Sequence, residues 1–331
     1  MTAVAARRRI PRMRTDTLIT TGGAGAIFLG LAVLPTVWKP YLVSQLLLLL
    51  AIVNLALLWN IVSGYGGQLS LAHGSFFGIG AYAVAYLGTQ LNYPILLTIA
   101  AGAVVSVVLA VAMTLATLRF RIRGIYFALV TLAVALILRN AVIASDRLGG
   151  SIGMTLPWVS QPLQLQFSTP FPIYYALTGG GFLLFLLSRW FVRSRAGIVL
   201  RAVRDNETAA ESLGHNVGRV LASVMGGTAA IASVIGSLYA LALLQATPDT
   251  SFSLSLVFAM LIATIVGGIG TPWGPLVGAL FYQGSNIVVS EFSTGVDRSP
   301  ILINLAFGIV LIFVVVVRPH GLMGRRSTPQ R

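Results

Sequence analysis

Apolar residues run along this chain in long blocks broken by short polar or glycine-rich stretches. A helix needs about 20 apolar residues to cross the ~30 Å hydrocarbon layer of a bilayer. Blocks of that kind occupy 18–37, 42–63, 67–88, 94–118, 124–145, 173–189, 217–243, 253–268, 274–290 and 301–317. The pattern predicts an all-α, polytopic integral membrane protein with about ten transmembrane helices. The eighth and ninth blocks would merge but for "GGIGTPWGP" (267–275), whose glycines and prolines cannot stay helical in lipid. The longest hydrophilic stretch is 190–216, so no soluble domain is expected. The chain divides into a basic segment (1–17), a membrane domain (18–317) and a tail (318–331).

Composition agrees. Of the 331 residues, 56% are hydrophobic and 9% charged, and mean hydropathy is +0.89. Only a bilayer accommodates that much apolar surface. The basic start could be the n-region of a signal peptide, but no convincing small-residue cleavage site stands in the right place, and the block from Leu18 is long enough to span, so a first transmembrane helix is expected. With no cysteine, disulfide and thiol chemistry are excluded.

Charge orients the spans. The formal net charge is +14. In a soluble protein that would suggest nucleic acid, but here the positive residues lie in short runs between apolar blocks, as cytoplasmic loops do. Ten spans with the amino terminus inside put 18 of the 22 positive residues at the cytoplasmic surface, counting the span ends Arg189 and Arg219. Lys39, Arg147 and Arg298 fall outside, and Arg139 within a span. Both termini are therefore expected to be cytoplasmic, with the proline-rich 157–172 external.

Several chemistries are missing. There is no G-x-x-x-x-G-K-[ST], so no ATP cradle. His73, His215 and His320 are scattered, which argues against a metal site, and no nucleophilic triad is evident. All eight acids (Asp16, Asp146, Asp205, Glu207, Glu211, Asp249, Glu291 and Asp297) lie in loops or at span ends. Transport driven by protons or sodium usually needs intramembrane carboxylates. Uphill transport by this chain would need a partner to supply energy.

Three stretches carry the candidate function. In "NIVSGYGGQLSLAHGSFFGIGAYAVAYL" (60–87), Gly64, Gly66 and Gly67 allow a tight return at the cytoplasmic surface. A helix expected from Gln68 would carry Gly74, Gly78, Ala81 and Ala85 on one face, a GxxxG pattern that permits close packing. Gln68, Ser70, His73 and Phe77 are candidates to line a pathway, although polar residues at a helix end also fit plain interface polarity. In "RAVRDNETAAESLGHNVGRV" (201–220), Asp205 or Asn206 can cap a helix from Glu207. Ala209, Ala210, Leu213 and Val217 give it an apolar side, and Gly214 ends it. So short a segment needs a membrane or a partner to be stable, unless it is simply a solvated loop. "VGGIGTPWGPLVGALFY" (266–282) repeats the glycine break and the GxxxG, with Gly274 and Gly278, and hints at two related halves. Near the outer end of the fifth span, Arg139 and Asn140 are candidates for substrate-side contacts, against snorkelling of Arg139 to the interface.

Together with "RIRGIYFALVTLA" (121–133) and "RPHGLMG" (318–324), these stretches resemble the LivM-type permeases of branched-chain amino acid ABC importers, over roughly 40–320. The amino-terminal arginines and loop 147–172 depart from that pattern. The resemblance implies a permease, not an enzyme, in the inner membrane of a bacterium. It implies as partners a LivH-like second permease, two cytoplasmic ABC ATPases that bind ATP-Mg, and an extracytoplasmic substrate-binding protein; the chain itself would bind no cofactor. It implies that Glu207, Ala209, Ala210, Glu211 and Gly214 form an EAA-like coupling helix that docks on an ATPase. Very similar permeases serve urea, amides or small organic acids. An ion-coupled transporter and a membrane enzyme are the rival classes.

Overall fold

The computed structural model describes residues 15–37, 42–122, 124–156, 169–293, 308 and 321–323. Nearly all of the expected tenth span, residues 157–168 of the expected external loop, most of the basic amino-terminal segment and most of the carboxy-terminal tail lie outside them.

The described chain is a helical bundle. Its long helices are α1 (Thr15–Val37), α2 (Leu42–Trp59), α3 (His73–Thr89), α4 (Ile95–Arg119), α5 (Ile125–Ile143), α6 (Phe171–Arg193), α9 (Val217–Leu243), α11 (Leu254–Gly267) and α12 (Gly274–Ser293). Short helices α7 (Arg195–Asp205), α8 (Glu207–Ser212) and α10 (Pro248–Ser251) join them. Six stretches of the described residues are long and apolar enough to cross a membrane.

α2 forms the axis. It is apolar all round and packs against α6, α9, α11 and α12, with its side chains from Leu46 to Trp59 almost wholly enclosed. Its one buried amide is used as a tie: Asn54 Nδ2 donates to Leu50 O at 2.8 Å and to Leu177 O of α6 at 3.2 Å. Tyr174 of α6 in turn donates to Leu31 O of α1 at 2.6 Å. α4 and α5 stand at the rim and expose Val104, Val108, Ile125, Leu129 and Ile137, the apolar surface a bilayer covers.

α3 crosses α9 with almost no space between the backbones. A Cβ on Gly80 would run into the Ser233 carbonyl, and one on Gly236 into the Phe77 carbonyl. Ser237 Oγ closes the crossing by donating to Gly80 O at 2.9 Å. The expected GxxxG pair does something different: Gly74 and Gly78 make room for the side chains of Val257 and Phe252. In α12, Gly278 does face backbone, the Ala263 carbonyl of α11, while Gly274 faces the Gly268 carbonyl in the preceding turn.

The start of α3 corrects the sequence expectation: the helix begins at His73, not Gln68. α2 ends in one π-turn, Asn60–Tyr65, and Gly67 turns the chain with φ +70°. Residues 68–72 then re-enter the bundle without helical structure. Backbone polar groups at that depth need partners, and side chains provide them. Trp59 Nε1 donates to Ser70 O at 2.7 Å and Ser63 Oγ to Gln68 O at 2.8 Å. Thr131 Oγ1 of α5 accepts from Leu71 N at 2.9 Å, and Ser70 Oγ accepts from Ala72 N at 3.3 Å.

The two ends of the bundle differ. One carries the Gly64–Gly67 turn, α7, α8 and the turn between α11 and α12, with Arg189, Arg193, Arg201 and Arg204 beside them; this is the basic end. At the other, β1 (Met154–Thr155) pairs antiparallel with β2 (Gln245–Ala246), with Met154 opposite Ala246.

Candidate functional site

A cavity of about 410 Å³ opens away from the basic end, between α2, α3, α9, α11 and α12. Leu48, Ile52, Phe77, Leu256 and Ala259 give it an apolar inner wall. Gln45, Tyr239, Ser253, Ser255, Tyr282, Gln283 and Asn286 line it with uncharged polar groups. Gln283 Nε2 donates to Gln45 Oε1 at 3.3 Å, so an amide pair bridges α12 and α2. Phe77 and Tyr239 rest ring against ring at 5.4 Å between centroids, held there by the α3–α9 crossing.

Asp249 is the one charged residue among the described lining groups. Arg139 Nη2 meets its Oδ1 at 2.6 Å, with side-chain exposures of 33% and 75%, so the pair sits at the rim and leaves the cavity with no net charge. Such a lining offers hydroxyl and amide groups but no net charge to a solute.

The residues singled out in the sequence separate in space. Phe77 lines the large cavity. Gln68 lines a much smaller one at the basic end, with Thr114, Thr117, Phe127 and Met225. Ser70 and His73 are fully enclosed; Ser70 serves the local backbone, and His73 lies edge-on to Phe76 at 5.9 Å. Arg139 binds Asp249, while Asn140 is exposed beside it. The lining amides Gln45, Gln283 and Asn286 were not singled out. Their signal was present, since each is a polar residue inside an expected span.

At the basic end, α7 and α8 follow one another with sequence-encoded caps. Ser194 Oγ accepts from Gly197 N at 3.2 Å, and Asn206 Oδ1 accepts from Ala209 N at 3.0 Å. Asn206, not Asp205, is therefore the cap of α8. Only part of the expected apolar side is turned inward: Ala210 and Val217 are buried, whereas Leu213 is 77% exposed and Ala209, Glu211 and Gly214 face outward. Glu207 is half-buried. Among the described residues no group of His, Asp and Glu is placed to hold a metal ion.

Six membrane-length apolar helices in one bundle, packed around a cavity with no net charge, are the architecture of a multi-pass membrane protein with room for a small solute. The chain belongs to the branched-chain amino acid transport system / permease component family, which matches residues 19–315. It is similar to the high-affinity branched-chain amino acid transport system permease protein LivM of Salmonella typhimurium, at 24% identity over 89% of this chain and 74% of that protein. It is similar to LivM of Escherichia coli K12 at 25% identity over 88% and 73%. It is also similar to the LivH permease of Escherichia coli K12, at 27% over 82% of this chain and 90% of that one. No solved structure matches it significantly.

Proposed function

We propose that this chain is a permease subunit of a bacterial ATP-driven importer and that it carries branched-chain or closely related amino acids by alternating access. The observation that carries the reading is a cavity with no net charge. Its apolar wall suits an aliphatic side chain, and its hydroxyl and amide groups suit the zwitterionic head of an amino acid. Small organic acids suit it less, since the only charge among the described lining groups is a carboxylate that Arg139 already neutralises, which leaves no cation to hold an anion.

In this reading the basic end is cytoplasmic and both termini lie there, with about ten spans. A LivH-like permease completes the path, two ABC ATPases bind ATP-Mg, and an extracytoplasmic binding protein delivers substrate at the end bearing β1, β2, Arg139 and Asn140. The exposed Ala209, Glu211 and Leu213 of the α8 region dock on an ATPase, with Glu207 and Gly214 shaping that segment and Ala210 anchoring it inward. The ATPases move α7 and α8, and the bundle alternates between its open states.

The test is reconstitution with the second permease, the ATPases and the binding protein, and measurement of leucine uptake into proteoliposomes. ATP-dependent uptake that requires all four partners is expected. Gradient-driven uptake by this chain alone would overturn the reading, and uptake of urea in place of leucine would replace the substrate.

A further inference from the structure

We infer that the Asn60 carboxamide clasps the two glycine turns of the basic end into one unit, and that Arg204 hands movement of α7 and α8 to it. Both are then positioning residues for coupling ATP use to transport. This rests on the reading of the chain as a subunit of an ATP-driven importer.

Asn60 is 2% exposed and uses both ends of its amide on the α11–α12 turn. Nδ2 donates to Thr271 O at 2.9 Å, and Oδ1 accepts from Gly270 N at 2.8 Å. Two bonds to adjacent residues fix the orientation of that turn as well as its position. A carboxamide offers a donor and an acceptor on one flat group of this size; an ionised aspartate at this place has no proton for Thr271 O. Gly64 leaves the space, since a Cβ there would run into Asn60 Oδ1 and stand 2.8 Å from Gly270 N.

The α2–α3 turn is held from the other side by α7. Arg204 Nη1 donates to Gly64 O at 3.1 Å, and its stem covers Gly67, where a Cβ would collide with Arg204 Cγ. Leu200, one turn earlier in α7, covers Gly66. α8 follows α7 after Asn206 alone. Four of the five long helices that line the cavity, α2, α3, α11 and α12, meet at these two turns. A displacement of α7 and α8 therefore reaches the cavity walls through Arg204, Gly64 and Asn60. The π-turn that presents Asn60 is a feature concentrated at functional sites.

The experiment uses the reconstituted complex. Arg204→Gln, Arg204→Lys and Asn60→Ala are compared with wild type for ATPase co-purification, basal ATP hydrolysis, and leucine uptake per ATP consumed. Arg204→Gln is expected to assemble and hydrolyse ATP as wild type does. Its uptake per ATP should fall about tenfold, within the span of ordinary inter-site coupling. Arg204→Lys, which keeps the stem and a charged donor, should recover most of it, and Asn60→Ala should match Arg204→Gln. Because Arg204 is partly exposed, its variants leave the fold standing even if Asn60→Ala fails to express. An undiminished uptake-to-ATP ratio in Arg204→Gln would overturn the inference, as would loss of assembly or an equal defect in Arg204→Lys. A wild-type complex without ATP-dependent uptake would instead remove the importer reading itself.

Discussion

Two glycines in the same helix should respond oppositely to the same added methyl group. Gly236 of α9 faces the backbone of α3: its new Cβ would run into the Phe77 carbonyl oxygen and stand 2.6 Å from the carbonyl carbon. Gly227, also in α9, has nothing within 4 Å of the added carbon. Alanine favours helix by about 0.5–1 kcal/mol over glycine at either site. At Gly236 this gain is opposed by forced separation of two packed backbones, typically about 1–3 kcal/mol. Separation also stretches the neighbouring Ser237–Gly80 hydrogen bond, worth roughly 0.6 kcal/mol inside a membrane protein. Gly236→Ala should therefore lose roughly 0.6–3 kcal/mol while Gly227→Ala gains up to ~1 kcal/mol. At about 2 °C per kcal/mol for a chain of this size, the unfolding temperatures of the two purified variants in detergent should differ by several degrees. The assay is a thermal melt followed by size-exclusion recovery. Equal shifts, or a stabilised Gly236→Ala, would refute the tight α3–α9 crossing.

Other variants test the cavity and the ends. Ala259→Trp should fill much of the cavity and reduce leucine uptake at least about tenfold while the ATPases still co-purify, since one lost contact of 1.4 kcal/mol is already tenfold; normal uptake would move the path elsewhere. Glu211→Arg combined with Gly214→Pro should leave the permease in the membrane but abolish ATPase co-purification, because Gly214 holds φ +84°, which proline cannot adopt. Unchanged recovery would remove the docking assignment. Arg139→Ala should change stability by less than about 1 kcal/mol, because water replaces an exposed partner; a larger loss in the melt would mean the pair is roofed over.

Much of the bundle was legible in the chain, for physical reasons that vary by place. The block 217–243 coincides with α9 because Asn216 caps its start and the apolar run stops where Leu244 turns left-handed. The break at 267–275 falls where α11 ends and α12 begins, since glycine and proline act locally. α3 was set five residues early because hydropathy cannot see that Trp59, Ser63 and Thr131 take over the bonds a helix would have made. The α3–α9 crossing was missed for a related reason: Gly80 and Gly236 belong to no GxxxG, and only the opposing helix shows which glycine is approached. The cavity was the least legible. Gln45 and Gln283 stand 238 positions apart, and nothing local tells either that it faces the other.

α2 and α4 look alike as sequence, two long apolar runs, yet 89% of the apolar stretch of α2 with its π-turn is enclosed against 28% of that of α4. Bilayer thickness and lipid type act on a helix through the surface it shows to lipid. They therefore bear on α4 and hardly at all on α2, whose solvent is the rest of the protein. A host that thickens or thins its membrane would tilt the outer helices around a core strut that does not register the change, and Asn54 and Asn60 would keep their partners from one lipid environment to the next.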